Sequence, residues 1–137
     1  MRLVRLSYIF PVSNMPNAPT AQEPLRVLIV EDHAPCARLM EIALTDAGHT
    51  VTLVRTTDSA LFAVVWEEFD ALVCDLLLPD GHGCEIIRAL RQRNLPVFAV
   101  AVSGLPRSGC EDVAIAAGFD TFLQKPFSPG ELAALFA

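Results

Sequence analysis

The sequence predicts an α/β fold in which a five-stranded parallel sheet is doubly wound, with helices on both faces. Two patterns support this prediction. Five short runs are apolar almost throughout, as is typical of strands that are buried on both faces of a sheet. Each run is followed by a segment whose apolar residues recur with the 3.6-residue period of a helix. This alternation indicates consecutive βα units, whose strands pair in parallel.

The first half of the chain contains three of the strands and two of the helices. The strands are predicted at residues 26–30, 50–54 and 71–75. The first helix carries an apolar stripe at helical spacing, formed by Cys36, Leu39, Met40, Ala43, Leu44 and Ala47. Gly48 ends this helix, because glycine readily adopts the left-handed conformation that follows a helix. The second helix is predicted over 59–68, with Trp66 on its buried face.

The third helix is predicted over residues 83–93, and the fourth strand over 97–102. Ser108 and Glu111 then form a capping-box pattern that marks the start of a fourth helix. The apolar stripe of this helix is formed by Cys110, Val113, Ala114 and Ala117.

The end of the chain completes the fifth βα unit. A short fifth strand is predicted over 121–123, and Ser128 with Glu131 repeats the capping-box pattern. Pro129 occupies the favoured first position of the last helix. Only the nine residues 129–137 remain for this helix, which is short for an element that must cover a sheet edge.

The chain divides into a tail and one domain. Residues 1–24 are interrupted by four prolines and are otherwise rich in polar residues, so they are predicted to form a flexible N-terminal tail. Translation could start at Met1 or at Met15. Residues 25–137 form the predicted domain, which has the length of a single globular unit.

Composition limits the classes of partner. A formal net charge of −6 argues against direct nucleic-acid binding by the surface as a whole. The longest purely apolar runs have six residues, whereas a membrane span needs about 20, so no membrane insertion is expected. The four cysteines lack a Cys-x-x-Cys pair and are expected to be reduced, which favours a cytoplasmic protein.

Polar side chains stand at the carboxyl ends of the predicted strands, where open parallel sheets bind their ligands. Glu31 and Asp32 follow the first strand, Asp75 ends the third, Ser103 follows the fourth and Lys125 follows the fifth. Three neighbouring carboxylates repel one another, so cations must compensate them. Mg²⁺ and the ammonium of Lys125, the only lysine in the chain, would do so.

These residues resemble the receiver domain of two-component response regulators, of the chemotaxis-regulator type. The resemblance extends from Leu25 to Ala137. It rests on the pair Glu31-Asp32, the string DLLLPDGHG at 75–83, Ser103-Gly104, and Phe122 three residues before Lys125-Pro126. It implies a flavodoxin-like (βα)5 fold with strand order 2-1-3-4-5.

The resemblance also implies a role for each residue of the acidic cluster. Asp75 is the expected phospho-acceptor. Asp32 would bind Mg²⁺ directly and Glu31 mainly through water, while the backbone carbonyl of Leu77 would complete the protein ligands together with Asp75. Little turnover of a separate substrate is expected, only Mg²⁺-dependent self-phosphorylation and slow self-dephosphorylation.

The remaining matched residues are expected to respond to the phosphoryl group. Ser103 would hydrogen-bond it, and Lys125 would bridge Asp75 or its phosphoryl oxygens. Phe122 would fill the space that the Ser103 loop vacates, although the family more often has tyrosine at that position. The resemblance further implies a cis peptide bond between Lys125 and Pro126.

The expected partners follow from the same resemblance. A histidine kinase or a histidine phosphotransferase would donate the phosphoryl group. A downstream protein would bind the face formed by helix 4, strand 5 and helix 5, and a homodimer is also compatible with the family.

Leu77 and Leu105 offer no polar partner to a hydrolytic water, which is the basis for expecting slow self-dephosphorylation.

Other functions remain as alternatives. A dehalogenase-type phosphatase would also use a strand-end aspartate, but it requires a second acid at the position of Leu77. A flavodoxin-like nucleotide binder requires a loop that attracts phosphate, whereas Glu31-Asp32-His33 would repel it. The chain could also be a phosphorylation-independent interaction module, or the receiver fragment of a larger hybrid histidine kinase.

Overall fold

A computed structural model describes residues 23–137, and the predicted tail lies almost entirely outside the described residues. The strands are β1 (Arg26–Val30), β2 (Thr50–Val54), β3 (Ala71–Asp75), β4 (Leu77–Leu78), β5 (Gly81–His82), β6 (Phe98–Ser103) and β7 (Thr121–Gln124). The helices are α1 (Ala34–Asp46), α2 (Thr57–Trp66), α3 (Gly83–Gln92), α4 (Arg107–Ala117) and α5 (Pro129–Ala134).

Five of these strands form a parallel sheet in the order β2-β1-β3-β6-β7. Strands β4 and β5 have two residues each and pair only with one another, as an antiparallel hairpin. The fourth and fifth predicted strands are therefore β6 and β7, and the predicted order 2-1-3-4-5 is confirmed. The hairpin itself was not predicted, because two residues are too few to show a strand pattern.

Alternate residues of each sheet strand point to opposite faces and build two hydrophobic cores. On β1, Leu28 and Val30 pack beneath α2, α3 and α4, while Val27 and Ile29 pack beneath α1 and α5. Every residue of β3 and β6 is buried, as expected for the central strands of a doubly wound sheet. The prediction of helices on both faces is thereby confirmed.

The helix starts confirm one of the two predicted capping boxes and contradict the other. Ser128 and Glu131 form the predicted capping box of α5. The predicted box at Ser108 is wrong: α4 already begins at Arg107, with Pro106 at the N-cap and no side-chain cap. Proline fixes φ near −65° and has no N–H, so it suits a helix start without a capping side chain.

The second helix faces the core differently from the prediction. Ala60, Ala63 and Val64 form its buried side. Trp66 is 71% exposed and packs instead against Phe62 on the outer side, with 6.1 Å between the ring centroids. Because residues 60–66 of α2 are all apolar, periodicity alone did not distinguish its inner side from its outer side.

The last helix is shorter than predicted, yet it is well anchored. Leu132 and Phe136 are almost completely buried. Phe136 makes an edge-to-face contact with Phe98, with ring centroids 5.4 Å apart, and lies 5.7 Å from the His49 ring. Large aromatic groups thus supply the burial that a six-residue helix alone would lack.

Across the described residues, none of the helices combines the length and the apolar character needed to cross a membrane.

Candidate functional site

The parallel register brings the polar strand ends together at one edge of the sheet. Val30 of β1 lies opposite Cys74 of β3, and Asp75 lies opposite Val102 of β6. Ser103 follows directly and pairs with Gln124 of β7, which precedes Lys125. Residues that are far apart in the sequence therefore occupy the ends of four neighbouring strands.

Glu31, Asp32 and Asp75 form an acidic cluster at this edge. One carboxylate oxygen from each residue lies within 4.8 Å of those of the other two. Glu31 is completely buried and Asp75 is 7% exposed, whereas Asp32 is exposed to solvent. The cluster is thus a buried carboxylate pair with a third carboxylate at its rim.

The Lys125 ammonium bridges the two buried carboxylates. Its Nζ lies 2.7 Å from Glu31 Oε1 and 3.2 Å from Asp75 Oδ2. The lysine side chain is 21% exposed, so it reaches the cluster from the solvent side while most of its stem is covered. The Lys125–Pro126 peptide bond is cis.

Burial and the neighbouring charges perturb both partners of the central pair. Burial is the main cause that raises the pKa of Asp75; the charge of Glu31 raises it further, and Lys125 opposes the rise. Burial alone would lower the pKa of Lys125, but the contacts with Glu31 and Asp75 outweigh it and raise that pKa. The ammonium is therefore held in its charged form between the two carboxylates.

The loop after Asp75 is shaped by close packing. The Leu77 N–H donates to Asp75 Oδ1 at 3.3 Å, which orients the carboxylate. Gly83 begins α3 so close to β3 that a Cβ there would collide with the backbone carbonyl of Asp75. The Leu77 side chain is 53% exposed above the loop.

Asp80 ties this loop to α2. Its two carboxylate oxygens accept hydrogen bonds from the Thr57 and Asp58 amides, at 2.8 and 3.0 Å. These bonds, that of Asp58 first, lower the pKa of Asp80. A cap supplied from 22 or 23 residues away leaves no local pattern in the sequence.

Ser103 and Phe122 lie beside the cluster on β6 and β7. Ser103 is 1% exposed, and its Oγ accepts a hydrogen bond from the Leu105 N–H at 3.0 Å. Phe122 is 3% exposed and has the Arg107 guanidinium over its ring, 5.2 Å from the centroid. Arg107 was not identified from the sequence, since nothing in the sequence pattern indicates a cation over a buried ring.

The donor set fits a hard divalent cation. Carboxylate oxygens are the ligands that Mg²⁺ prefers, and a partly open cluster allows it to keep several waters. Glu31 Oε2 accepts from the His33 N–H at 3.1 Å, while the buried Oε1 faces the Lys125 ammonium at 2.7 Å without a well-aligned hydrogen bond. A buried carboxylate oxygen with spare acceptor capacity is suited to a cation or to its bound water.

Nearby cysteine and histidine side chains have structural roles in the described residues. Cys74 precedes Asp75 but points into the core. Burial raises the pKa of the Cys36 thiol to about 11, so this thiol is protonated at neutral pH. His82 accepts from the Cys84 amide and caps α3 in a capping box with Glu85.

Comparison with known proteins agrees with this architecture. The family described as response regulator receiver domain matches residues 27–137. The transcriptional regulatory protein KdpE of the KDP operon of Escherichia coli is 38% identical over 108 residues, which cover 79% of this chain and 48% of KdpE. The phosphate regulon regulator PhoB of Pseudomonas aeruginosa is 34% identical, with 79% of this chain and 48% of PhoB covered. The chain thus spans about half the length of these curated relatives.

Solved structures show the same fold. The receiver domain of the Francisella response regulator 1452 superposes with a TM-score of 0.75 at 25% identity, covering 80% of this chain and 91% of that one. The chemotaxis response regulator CheY4 of Vibrio cholerae superposes with a TM-score of 0.76 at 24% identity, covering 82% and 95%. The second likeness is one of fold alone.

Proposed function

The chain belongs to the receiver-domain family of two-component response regulators, and from this premise we propose that it accepts a phosphoryl group from a phosphohistidine donor onto Asp75. The observation that carries the proposal is the Lys125 ammonium, placed between Glu31 and Asp75 at 2.7 and 3.2 Å. A permanent cation beside a carboxylate at the end of a strand is the arrangement that an incoming phosphoryl group requires.

The transfer is a substitution at phosphorus. A carboxylate oxygen of Asp75 forms a bond to phosphorus while the bond to the donor imidazole nitrogen breaks, and that nitrogen keeps the electron pair. A carboxylate is a weak nucleophile, so the rate depends on positioning and on neutralising the phosphoryl oxygens. The Leu77 amide holds one oxygen of Asp75, and Lys125 supplies positive charge beside the other.

Members of this family generally bind Mg²⁺ at an acidic pocket. In this chain Glu31, Asp32, Asp75 and the Leu77 backbone carbonyl would hold the ion. When bound, Mg²⁺ supplies charge neutralisation for the phosphoryl oxygens and for the mutually repelling carboxylates.

Switching would begin at Ser103. Its Oγ accepts a hydrogen bond from the Leu105 amide, and its O–H would donate to a phosphoryl oxygen, drawing the loop before α4 inward. Phe122 would then occupy the vacated space. Arg107 contacts the Phe122 ring and also donates to its backbone carbonyl at 3.4 Å, so movement of this loop would be transmitted to α4 and β7.

Receiver domains interact with histidine kinases and with downstream effectors. For this chain we assign the donor to a histidine kinase or histidine phosphotransferase, and the output to the face formed by α4, β7 and α5. Val113 and Ile115 on α4 are 50% and 44% exposed, which provides apolar area for a protein partner or a second copy.

The phosphoryl group should be long-lived. Leu77 and Leu105 lie exposed near Asp75 and Ser103 and offer no polar partner to a hydrolytic water.

Incubation with acetyl phosphate and Mg²⁺ tests the proposal. The intact protein should gain one phosphoryl group, as measured by mass spectrometry, and should lose it in neutral hydroxylamine, as an acyl phosphate does. Asp75→Asn preserves the shape of the side chain and should gain none, whereas Asp112→Asn, an exposed acid on α4, should behave as the unmodified protein does. Equal labelling of Asp75→Asn, or a product resistant to hydroxylamine and hot acid, would exclude this mechanism.

A further inference from the structure

The outer side of α2 is the most apolar exposed surface of the described chain. Phe62, Val65 and Trp66 occupy positions i, i+3 and i+4 and are 67%, 62% and 71% exposed. The other exposed large apolar side chains among the described residues are at most 53% exposed. Contiguous exposed apolar side chains of this kind mark interaction surfaces in soluble proteins.

Two depressions flank these side chains, and we call them, with the three side chains, the α2 groove. One, of about 650 Å³, lies between α2 and the edge strand β2, and the other, of about 660 Å³, lies below the end of α2. Trp66 lines both. The charged residues that line them are Asp58, Glu67, Glu68, Asp70 and Arg93. Glu67 is paired with Arg26 and Asp70 is buried, so Asp58 and Glu68 are the acids that give the rim its exposed negative charge.

The chain enters the domain beside this groove. The Arg26 amide donates to Asp70 Oδ2 at 2.9 Å, and the Arg26 guanidinium lies 3.3 Å from Glu67 Oε1. Both acids line the groove, and Arg26 is only four residues from Gln22, the last residue of the preceding segment. The first described residues therefore lie beside the α2 groove, and residues 1–22 are joined to them through the chain.

The composition of this segment complements the groove. Residues 1–22 contain Arg2 and Arg5 but no Asp or Glu. Residues 3–10 include six large apolar side chains: Leu3, Val4, Leu6, Tyr8, Ile9 and Phe10. The thirteen residue-to-residue steps from Phe10 to Glu23 can span up to about 43 Å, whereas the ten-residue helix α2 is about 15 Å long. The tether is long enough to reach every part of the groove.

We propose that residues 3–10 of this same chain dock on the α2 groove, placing apolar side chains against Phe62, Val65 and Trp66 and the two arginines near its acidic rim. The tether keeps the segment at an effective concentration in the millimolar range, so a weak contact suffices. A dissociation constant of about half that concentration would leave roughly one third of the segments undocked. The groove is then an intramolecular interaction surface, distinct from the face assigned to α4, β7 and α5.

Trp66 is the only tryptophan in the chain and reports directly on the groove. Fluorescence quenching by acrylamide, a neutral quencher, should be weak in the full chain. Leu6→Ser combined with Ile9→Ser removes two apolar contacts without changing charge and should raise the quenching constant about threefold, in line with the undocked fraction. The matched control, Thr20→Ser with Gln22→Ser, alters the tether alone and should leave the constant unchanged.

The outcomes are distinguishable. Equal quenching in the full chain and in the Leu6→Ser/Ile9→Ser variant would overturn the proposal. Protection of Trp66 that disappears when the protein is diluted from about 100 μM to about 1 μM would also overturn it, because a tethered contact does not depend on concentration whereas a second copy does. Protection of Trp66 from acrylamide that persists on dilution would support residues 3–10 of the same chain as the occupant of the groove. Weaker protection in Arg2→Gln with Arg5→Gln would support the contribution of the two arginines near the acidic rim.

Discussion

Replacing Lys125 by methionine tests the electrostatic design of the acidic cluster. The substitution keeps the length of the side chain but leaves Glu31, which is completely buried, and Asp75 without their cation. Removing one partner of a buried ion pair typically costs about 3–5 kcal/mol. Because the Lys125 side chain is 21% exposed, we expect the lower end of that range, about 3 kcal/mol.

Mg²⁺ should rescue this variant. The ion and the ammonium compete for the same carboxylates, so removal of Lys125 should strengthen Mg²⁺ binding while it weakens phosphorylation. A ligand at 100 times its dissociation constant stabilises a protein by about 2.7 kcal/mol. We expect Mg²⁺ to stabilise Lys125→Met more than the unmodified protein, by at least about 1.4 kcal/mol, which corresponds to tenfold tighter binding.

Urea unfolding at pH 7.5, with and without Mg²⁺, measures both quantities. Arg38→Met is the matched control, because it removes a cation that lies 3.3 Å from Glu41 but is 72% exposed. Exposed pairs contribute little, so this control should lose less than about 0.5 kcal/mol and should respond to Mg²⁺ as the unmodified protein does. If Lys125→Met is no less stable than Arg38→Met, or if Mg²⁺ stabilises both equally, the assignment of Lys125 as counter-cation of the cluster is wrong.

Three further predictions concern other sites. Burial lowers the pKa of His49, whose Nδ1 accepts a hydrogen bond from the Leu25 N–H. The native protein therefore binds fewer protons at this site than the unfolded chain does, and its stability should fall as the pH drops below 6.5. In urea unfolding, the unmodified protein should lose more stability between pH 7 and pH 5 than His49→Asn, which keeps an acceptor, and equal losses would contradict this. Asp80→Ala should speed hydrogen exchange of the first two amides of α2, whereas Asp112→Ala should not; unchanged exchange would show that the cap is dispensable. If the chain is phosphorylated as proposed, Leu77→Asn should shorten the phosphoryl half-life by roughly tenfold, and an unchanged half-life would count against the role of this apolar position.

The order of the βα units and the composition of the acidic cluster could be predicted because both depend on local patterns. Apolar runs such as β3 identify buried strands wherever they occur, and Asp75 at the end of one run has a fixed place once the strands are parallel. Burial patterns on α2 could not be predicted in the same way. Its sequence is apolar on every side, so the choice between Trp66 and Val64 for the core depends on which side meets the sheet.

Local sequence patterns are therefore sufficient to predict the class of fold, the succession of its elements and the identities of the residues that meet at the strand ends. The pairings between residues far apart in the chain became visible only in three dimensions. The bridge from Lys125 to Glu31, the cap that Asp80 places on α2 and the position of Arg107 over Phe122 are of this kind. Each contact depends on the distance and direction between side chains on different elements, and these are set by how the sheet and helices pack together.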